Sequence, residues 1–482
     1  MRKIVLAYVL VLLVFGAGIG AALRAGKQAE PPRSTAPAGM AKQPAGALQT
    51  ALLLRDNLRQ PLSLLLLQLI LIVLLARVFG ALAARAGQPA VIGEMVAGVV
   101  LGPSILGGLF PHLFAFVFPA DSLGALRIMS QVGVILFMFL VGMELDLHQA
   151  RRQADTALMV SHVGILFPCF LGVVFAVFIY RFHRPLVPPD VSFLPFALFL
   201  GIAMSITAFP VLARILQDRG LTTTPLGSLA LTCAAIGDLT AWCLLALVVA
   251  VAKAGGLGAS LATLVLTLAF IAAMSFLVKP WLNNFIKARP RLAAAPGPGL
   301  VVAMLILVFS AALFTETIGI HALFGAFLAG VVMPAQAEFR SHLREKLENF
   351  SSALLLPLFF AFTGLRTQVG LLHDWQGWRL CAAIILTATL GKLGGSMITA
   401  RCTGLNWRDS FALGALMNTR GLVELIVLNL GLDLGILSPP VFTMLVLMAL
   451  VTTSLTGPLL SLGKFFPADG KITSSASSSA GE

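Results

Sequence analysis

The sequence predicts an all-α polytopic membrane protein, and three observations carry that prediction. Of its 482 residues 58% are apolar and only 11% are charged, against roughly 25% charged in a soluble domain. Apolar runs long enough to cross about 30 Å of hydrocarbon recur along the chain. The Lys and Arg behind the net charge of +13 fall in short loops between those runs, which marks a topology signal rather than a nucleic-acid surface.

The elements follow in order. Arg2 and Lys3 precede an apolar run, so residues 1–24 read as a signal peptide or as an extra transmembrane helix, and length does not decide between them. Residues 25–60 are a Pro- and Ala-rich external linker without a periodic apolar face. From residue 61 about thirteen apolar spans follow, at 61–80, 90–108, 124–145, 156–181, 193–217, 226–252, 258–282, 299–315, 318–334, 347–365, 377–400, 409–432 and 439–463. The second, eighth and ninth are short and Gly-rich. These spans make a membrane domain over 61–463, and 464–482 reads as a disordered cytoplasmic tail.

Arg85, Arg151, Arg152, Arg219, Lys287, Arg289, Arg291, Arg340, Arg344, Lys346, Arg408 and Lys464 all follow odd-numbered spans. The positive-inside rule therefore places those junctions and the C-terminus in the cytoplasm of a bacterial-type inner membrane. Thirteen spans divide as six, one and six, which inverts the second half relative to the first. Pro210 interrupts the fifth span, and Asn418-Thr-Arg-Gly421 interrupts the twelfth. Helices broken at matching positions of two halves point to an inverted-repeat transporter with its site at the midplane.

Asp238 is the only charge in the sixth span before Lys253. A carboxylate at mid-bilayer depth costs roughly 2.5–3.5 kcal/mol on insertion scales, so it is expected to bind a cation, carry a proton, or both. The other reading is a structural carboxylate that caps a broken helix or pairs with an arginine. Lys392 is the only charge inside the eleventh span, and Asp238 is its natural partner. That pair is either a switch, in which the lysine yields to an arriving cation, or a fixed bridge between helices. In the fifth span Pro210 frees backbone carbonyls, and Ser205 and Thr207 add the hard oxygens that Na+ or K+ prefers; an ordinary proline kink is the alternative. Arg420 and Glu424 lie four apart and read as mutually neutralising support for a broken helix.

The remaining polar residues carry weaker signals. Glu94 and Glu144, with Asp146 nearby, are expected to pair locally with Arg85 or Arg151, and His321 reads as a packed, hydrogen-bonded histidine. The five cysteines have no ligand-type spacing and read as buried packing residues. No phosphate-binding glycine loop, metal-ligand cluster or nucleophile triad is evident, so neither an enzyme nor a cofactor is expected. No nucleic-acid partner is expected either.

Seven segments taken together resemble the monovalent cation:proton antiporter-2 family. They are Val91-Ile-Gly-Glu-Met-Val-Ala-Gly-Val-Val-Leu-Gly-Pro-Ser104, Phe139-Leu-Val-Gly-Met-Glu-Leu-Asp146, Thr207-Ala-Phe-Pro-Val-Leu-Ala-Arg214, Gly237-Asp238, Gly325-Ala-Phe-Leu-Ala-Gly330, Pro357-Leu-Phe-Phe360 and Asn418-Thr-Arg-Gly-Leu-Val-Glu424. Each is weak alone, and their order is specific. The resemblance implies a core and a dimerisation domain, two broken helices crossing near the ion site, a homodimer, and elevator-like alternating access. It assigns Asp238 to ion and proton binding, and it places Thr207 near the ion. It also matches Lys392 to the lysine preceding the second broken helix. Gly237 departs from the Asp or Asn usual before the essential aspartate, so Lys392 is expected to address Asp238 directly. Exchange of Na+ or K+ for protons is the expected function; a gated cation channel and an organic-solute exchanger are the alternatives.

Overall fold

A computed structural model of the chain describes residues 56–144, 154–222, 224–253, 257–289, 297–334 and 336–462. The expected N-terminal helix, most of the linker, Asp146, Arg151, Arg152, Arg291 and the C-terminal tail lie outside the described residues. Among the described residues every regular element is helical. The first seven long helices are α1 (Pro61–Arg85), α2 (Ala90–Leu101), α3 (Leu123–Glu144), α4 (Ala154–Phe182), α5 (Phe193–Ala203), α6 (Phe209–Asp218) and α7 (Pro225–Lys253). Next comes α8 (Leu257–Ala273), prolonged by a π turn over Met274–Val278 and by Lys279–Lys287. Then follow α9 (Pro298–Thr317), α10 (Ala322–Val331), α11 (Ala337–Phe350) and α12 (Leu356–Arg366). The last five are α13 (Trp375–Thr389), α14 (Gly395–Cys402), α15 (Trp407–Met417), α16 (Leu422–Asp433) and α17 (Pro439–Leu462).

Local chemistry sets many of these ends. Pro61, Pro225, Pro298 and Pro439 open helices where a missing N–H costs nothing. Gly220 and Gly435 follow α6 and α16 with φ of 65° and 69°, the left-handed conformation that lets the chain leave a helix without strain on a Cβ.

Among the described residues ten helices are long and apolar enough to cross a membrane, or eleven with α15 and α16 as one span bent by 43°. The expected thirteen are reached only by adding two shorter apolar helices, Phe193–Ala203 and Ala322–Val331. At 1.5 Å per residue neither spans more than about 17 Å by itself. Two further differences are additions. Charged helix α11 precedes the tenth span and continues into α12 through a π turn at Ser351–Leu355, and short helices at Leu106–Leu109 and Pro111–Val117 precede α3. Arg340 of α11 hydrogen-bonds to the carbonyls of Met143, Met333 and Pro334, closing the ends of α3 and α10.

Backbone packing sorts most helices into two bundles. One groups α1, α2, α3, α9, α10 and α12; the other groups α4 to α7 with α13 to α17. Small residues let backbones meet inside the first bundle, as expected of Gly-rich surfaces in a membrane. Gly142 of α3 faces Gly330 of α10, so that a Cβ at Gly330 would lie 2.9 Å from the Gly142 Cα and closer still to the Phe139 carbonyl oxygen.

The bundles enclose cavities at both ends. At the Arg85 end a cavity of about 750 Å³ is bounded by Phe137, Leu140 and Phe360 of one bundle and by Phe209, Pro210 and Leu422 of the other. At the Asp433 end a cavity of about 290 Å³ is lined by Gln131, Glu316, His321, Asn429 and Asp433. Polar bonds tie the bundles together there. Asp433 of α16 pairs with Arg127 of α3 at 3.2 Å and with Arg366 of α12 at 2.5 Å. Arg366 also donates to Asn429 Oδ1 at 3.1 Å.

The glycine contact yields a direct test. Gly330→Ala is expected to destabilise the detergent-solubilised protein by about 1–3 kcal/mol, the usual cost of forcing a methyl into a packed contact. Gly124, whose Cβ would meet nothing within 4 Å, serves as the control, and Gly124→Ala is expected to melt like the parent protein. Equal melting temperatures for the two variants would contradict the packing described.

Candidate functional site

The site begins with backbone groups that the helices leave unpaired. Helix α5 stops at Ala203, and α6 starts at Phe209 with Pro210 in its first turn. Pro210 therefore opens the second half-helix after a break over Met204–Ala208, rather than kinking a continuous one. In the second half α15 stops at Met417 and α16 starts at Leu422. Each break exposes the negative, carbonyl-bearing end of one half-helix and the positive, amide-bearing end of the next.

The two breaks bond to each other. The Ala208 amide donates to the Thr419 carbonyl at 3.0 Å, and Thr207 Oγ1 donates to the Met417 carbonyl at 3.0 Å. From the second break Arg420 reaches the carbonyl end of α5. Its Nη1 donates to the Ala203 carbonyl at 3.1 Å, and its Nη2 donates to that of Met204 at 2.6 Å. Nη1 also pairs with Glu424 Oε1 at 3.1 Å, so the expected pair is formed; both side chains are wholly buried. The hydroxyl of Thr453 on α17 accepts from the Arg420 amide at 3.0 Å.

Lys392 takes the remaining carbonyls. It lies in a π turn over Leu390–Gly394, and its Nζ donates to the Ser205 carbonyl and, at 2.8 Å, to the Gly164 carbonyl. Gly164 lies four residues before Pro168, a proline inside α4. Proline has no N–H, so the carbonyl one turn earlier loses its helical donor, and the lysine ammonium takes its place. The same device recurs in α17. Pro458 deprives the Ser454 carbonyl of its donor, and Gln88 Nε2 bonds that carbonyl at 3.3 Å.

Asp238 sits on α7 with no exposed surface, and neither carboxylate oxygen has a hydrogen-bond partner. The Phe209 amide, first of α6, lies close enough to act on it, and Lys392 acts on it through space. The expected direct contact between Lys392 and Asp238 is not formed. Two freed carbonyls hold the ammonium instead, a competition that single-residue reading overlooks because every residue carries a carbonyl. Ser205 and Thr207 are buried as expected near the break, with their hydroxyls donating to the Gly201 and Met417 carbonyls.

Other expectations fare differently. The charge acting on Glu94 is Arg77 of α1, two turns from Arg85. His321 accepts from the Leu323 amide at 3.4 Å and caps α10. Sequence reading passed over Asp433 and Asn429, although they lie four apart on one face of an apolar helix, and over Asn418 as a side chain in its own right. It also passed over Pro168, whose place inside an apolar span was the available sign of a free carbonyl at Gly164.

An all-helical membrane protein in which two broken helices cross is a secondary-transporter architecture. The family "Sodium/hydrogen exchanger, transmembrane" matches residues 70–462, and the chain belongs to this family of monovalent cation:proton antiporters. It is 44% identical over 408 residues to a protein of Synechocystis named Na(+)/H(+) antiporter NhaS4, covering 84% of this chain and 98% of that one. It is 41% identical to Cation/H(+) antiporter 17 of Arabidopsis thaliana over 84% of this chain and 49% of that protein. It is 34% identical to K(+)/H(+) antiporter 1 of Saccharomyces cerevisiae over 84% of this chain and 47% of that protein. The chain thus spans nearly all of the first relative and about half the length of the other two. The fold is shared with the sodium proton antiporter MjNhaP1 of Methanocaldococcus jannaschii, with a TM-score of 0.61 at 13% identity over 84% of this chain and 99% of that one.

The arginine stitch makes a quantitative expectation. Arg420→Gln leaves the buried Glu424 carboxylate without its partner, and breaking such a pair costs about 3–5 kcal/mol. The variant should melt well below the parent in detergent, and adding Glu424→Gln should restore part of the loss. A melting temperature equal to the parent's would contradict the structural role.

Proposed function

We propose that this protein is a secondary antiporter that exchanges cytoplasmic Na+ or K+ for external protons, with Asp238 as the shared site. The observation that carries this reading is the carboxylate itself, buried beside the crossing with both oxygens unpartnered. A buried carboxylate without hydrogen bonds is unstable as a permanent charge, so a proton or a metal ion is its natural complement. Either leaves the site with the same charge. They compete for one seat, so each conformation carries one or the other. The relatives named Na(+)/H(+) and K(+)/H(+) antiporters support both substrates.

The neighbouring groups divide the work. Arg420 and Lys392 neutralise the carbonyl end of α5, and the amide end of α6 faces Asp238, favouring negative charge there. Pro210 sets the start of α6, while Glu424 balances Arg420. Ser205 and Thr207 keep lone pairs for a cation that reaches the break. Lys392 acts as a holder of the break and a positive potential near the carboxylate rather than as its contact partner.

The two cavities support alternating access. The larger one, at the Arg85 end, extends to Phe209 and Pro210 at the start of α6. The Asp433 end is tied across the bundles by Arg127 and Arg366. The loop charges favour a cytoplasmic Arg85 end, and on that reading this state faces inward. Opening the other side requires the bundle that carries Asp238 to slide and release Asp433. A homodimer in a bacterial-type inner membrane, with a cytoplasmic C-terminus, completes the reading.

The test uses everted vesicles loaded with a pH-sensitive dye. Asp238→Asn, which keeps shape and removes charge, is expected to abolish the fluorescence recovery that Na+ or K+ produces in the parent. In the parent the apparent KM for the cation is expected to fall as pH rises, because fewer protons compete. Full exchange by Asp238→Asn would refute the site.

A further inference from the structure

We propose that Asn418 is a ligand for the transported cation, facing Asp238 across the first helix break; this rests on the antiport reading above. Among the described residues with two polar side-chain atoms, Asp238 and Asn418 are the two that bury both without any partner. Asn418 is fully buried. Burying an amide without compensating hydrogen bonds costs roughly 1–3 kcal/mol on mutational scales. The fold maintains that cost at the end of α15, where the second helix breaks.

Backbone bonds bring residues 417–419 and the neighbourhood of Asp238 to one short segment. The carbonyls of Met417 and Thr419, on either side of Asn418, accept from Thr207 Oγ1 and the Ala208 amide. The amide of the next residue, Phe209, acts on Asp238. Met417 also packs in one apolar cluster with Phe209 and with Ala234, one turn before Asp238. Segment 207–209 therefore borders both residues 417–419 and Asp238.

The chemistry suits a monovalent ion. An amide oxygen is a hard, neutral ligand of the kind that alkali and alkaline-earth cations accept. It adds coordination without charge, so a metal-loaded site and a protonated site keep equal charge. It also gives the metal an oxygen that the proton does not need, which makes Asn418 a determinant of cation affinity rather than of protonation.

Purified protein in detergent, titrated with NaCl or KCl against choline chloride at matched ionic strength, provides the test. In the parent the metal salts are expected to raise the melting temperature. Asn418→Leu is expected to melt at or above the parent without cation, since an unsatisfied amide is gone, and to lose most of the cation-induced rise. In proteoliposomes Asn418→Ala should raise the apparent KM for the cation about tenfold, with kcat at saturation within about twofold. Asn418→Ser, which retains an oxygen, should recover part of the affinity. Asp238→Asn should lose the cation-induced rise altogether; if it does not, the antiport site itself is wrong. If Asp238→Asn loses the rise while both Asn418→Leu and Asn418→Ala bind cation like the parent, only the role of Asn418 falls. Lowered melting of Asn418→Leu without cation would show a structural partner for the amide and overturn the proposal as well.

Discussion

The constraint on which this structure depends is the backbone carbonyl that has lost its helical donor inside a membrane. No bulk water is available there to replace the missing bond, so protein must supply it. The first break and one internal proline free the carbonyls of Ala203, Met204, Ser205 and Gly164 in one small region. Arg420 takes the first two, and Lys392 takes the others. Two cations are thereby committed to backbone, and Glu424 balances one of them. Asp238 is left as a buried carboxyl group that no hydrogen bond holds.

That division explains why such costly groups coexist. Lysine and arginine buried in an apolar bundle would be unfavourable as isolated charges. As donors to half-helix ends they complement the negative dipole and replace missing amides. The π turn around Lys392 belongs to the same arrangement: π-helical turns recur at functional sites, and this one presents a buried ammonium to a neighbouring helix. The resulting core is densely hydrogen-bonded where the breaks cross and sparsely bonded where the carboxylate sits.

Much of this was legible in the sequence. Asp238 and Lys392 each stood out as the lone charge of an apolar span, and Pro210 and Asn418–Gly421 marked the two breaks. Arg420 and Glu424 were readable as a pair from their spacing. The partner of Lys392 was not, because charge attracts attention and a carbonyl has no letter in the sequence. Pro168 could have supplied it: a proline four residues after Gly164 announces a carbonyl in need of a donor. The inter-bundle bonds of Asp433 were hidden for another reason, since Arg127 and Arg366 come from helices distant in sequence. The ten or eleven full-length helices among the described residues fall short of the expected thirteen spans because the helices of the broken fifth span and the ten-residue α10 are each too short to cross alone.

The central claim is that one carboxylate, freed from every other duty, exchanges a proton for a metal ion. Proton release on cation addition measures this most directly, using purified protein in weakly buffered detergent near neutral pH with choline as the control. The account calls for a single proton per chain released as Na+ or K+ binds, and for none from protein lacking the Asp238 charge. Cation binding without proton release, or release that persists when Asp238 is neutralised, would contradict it.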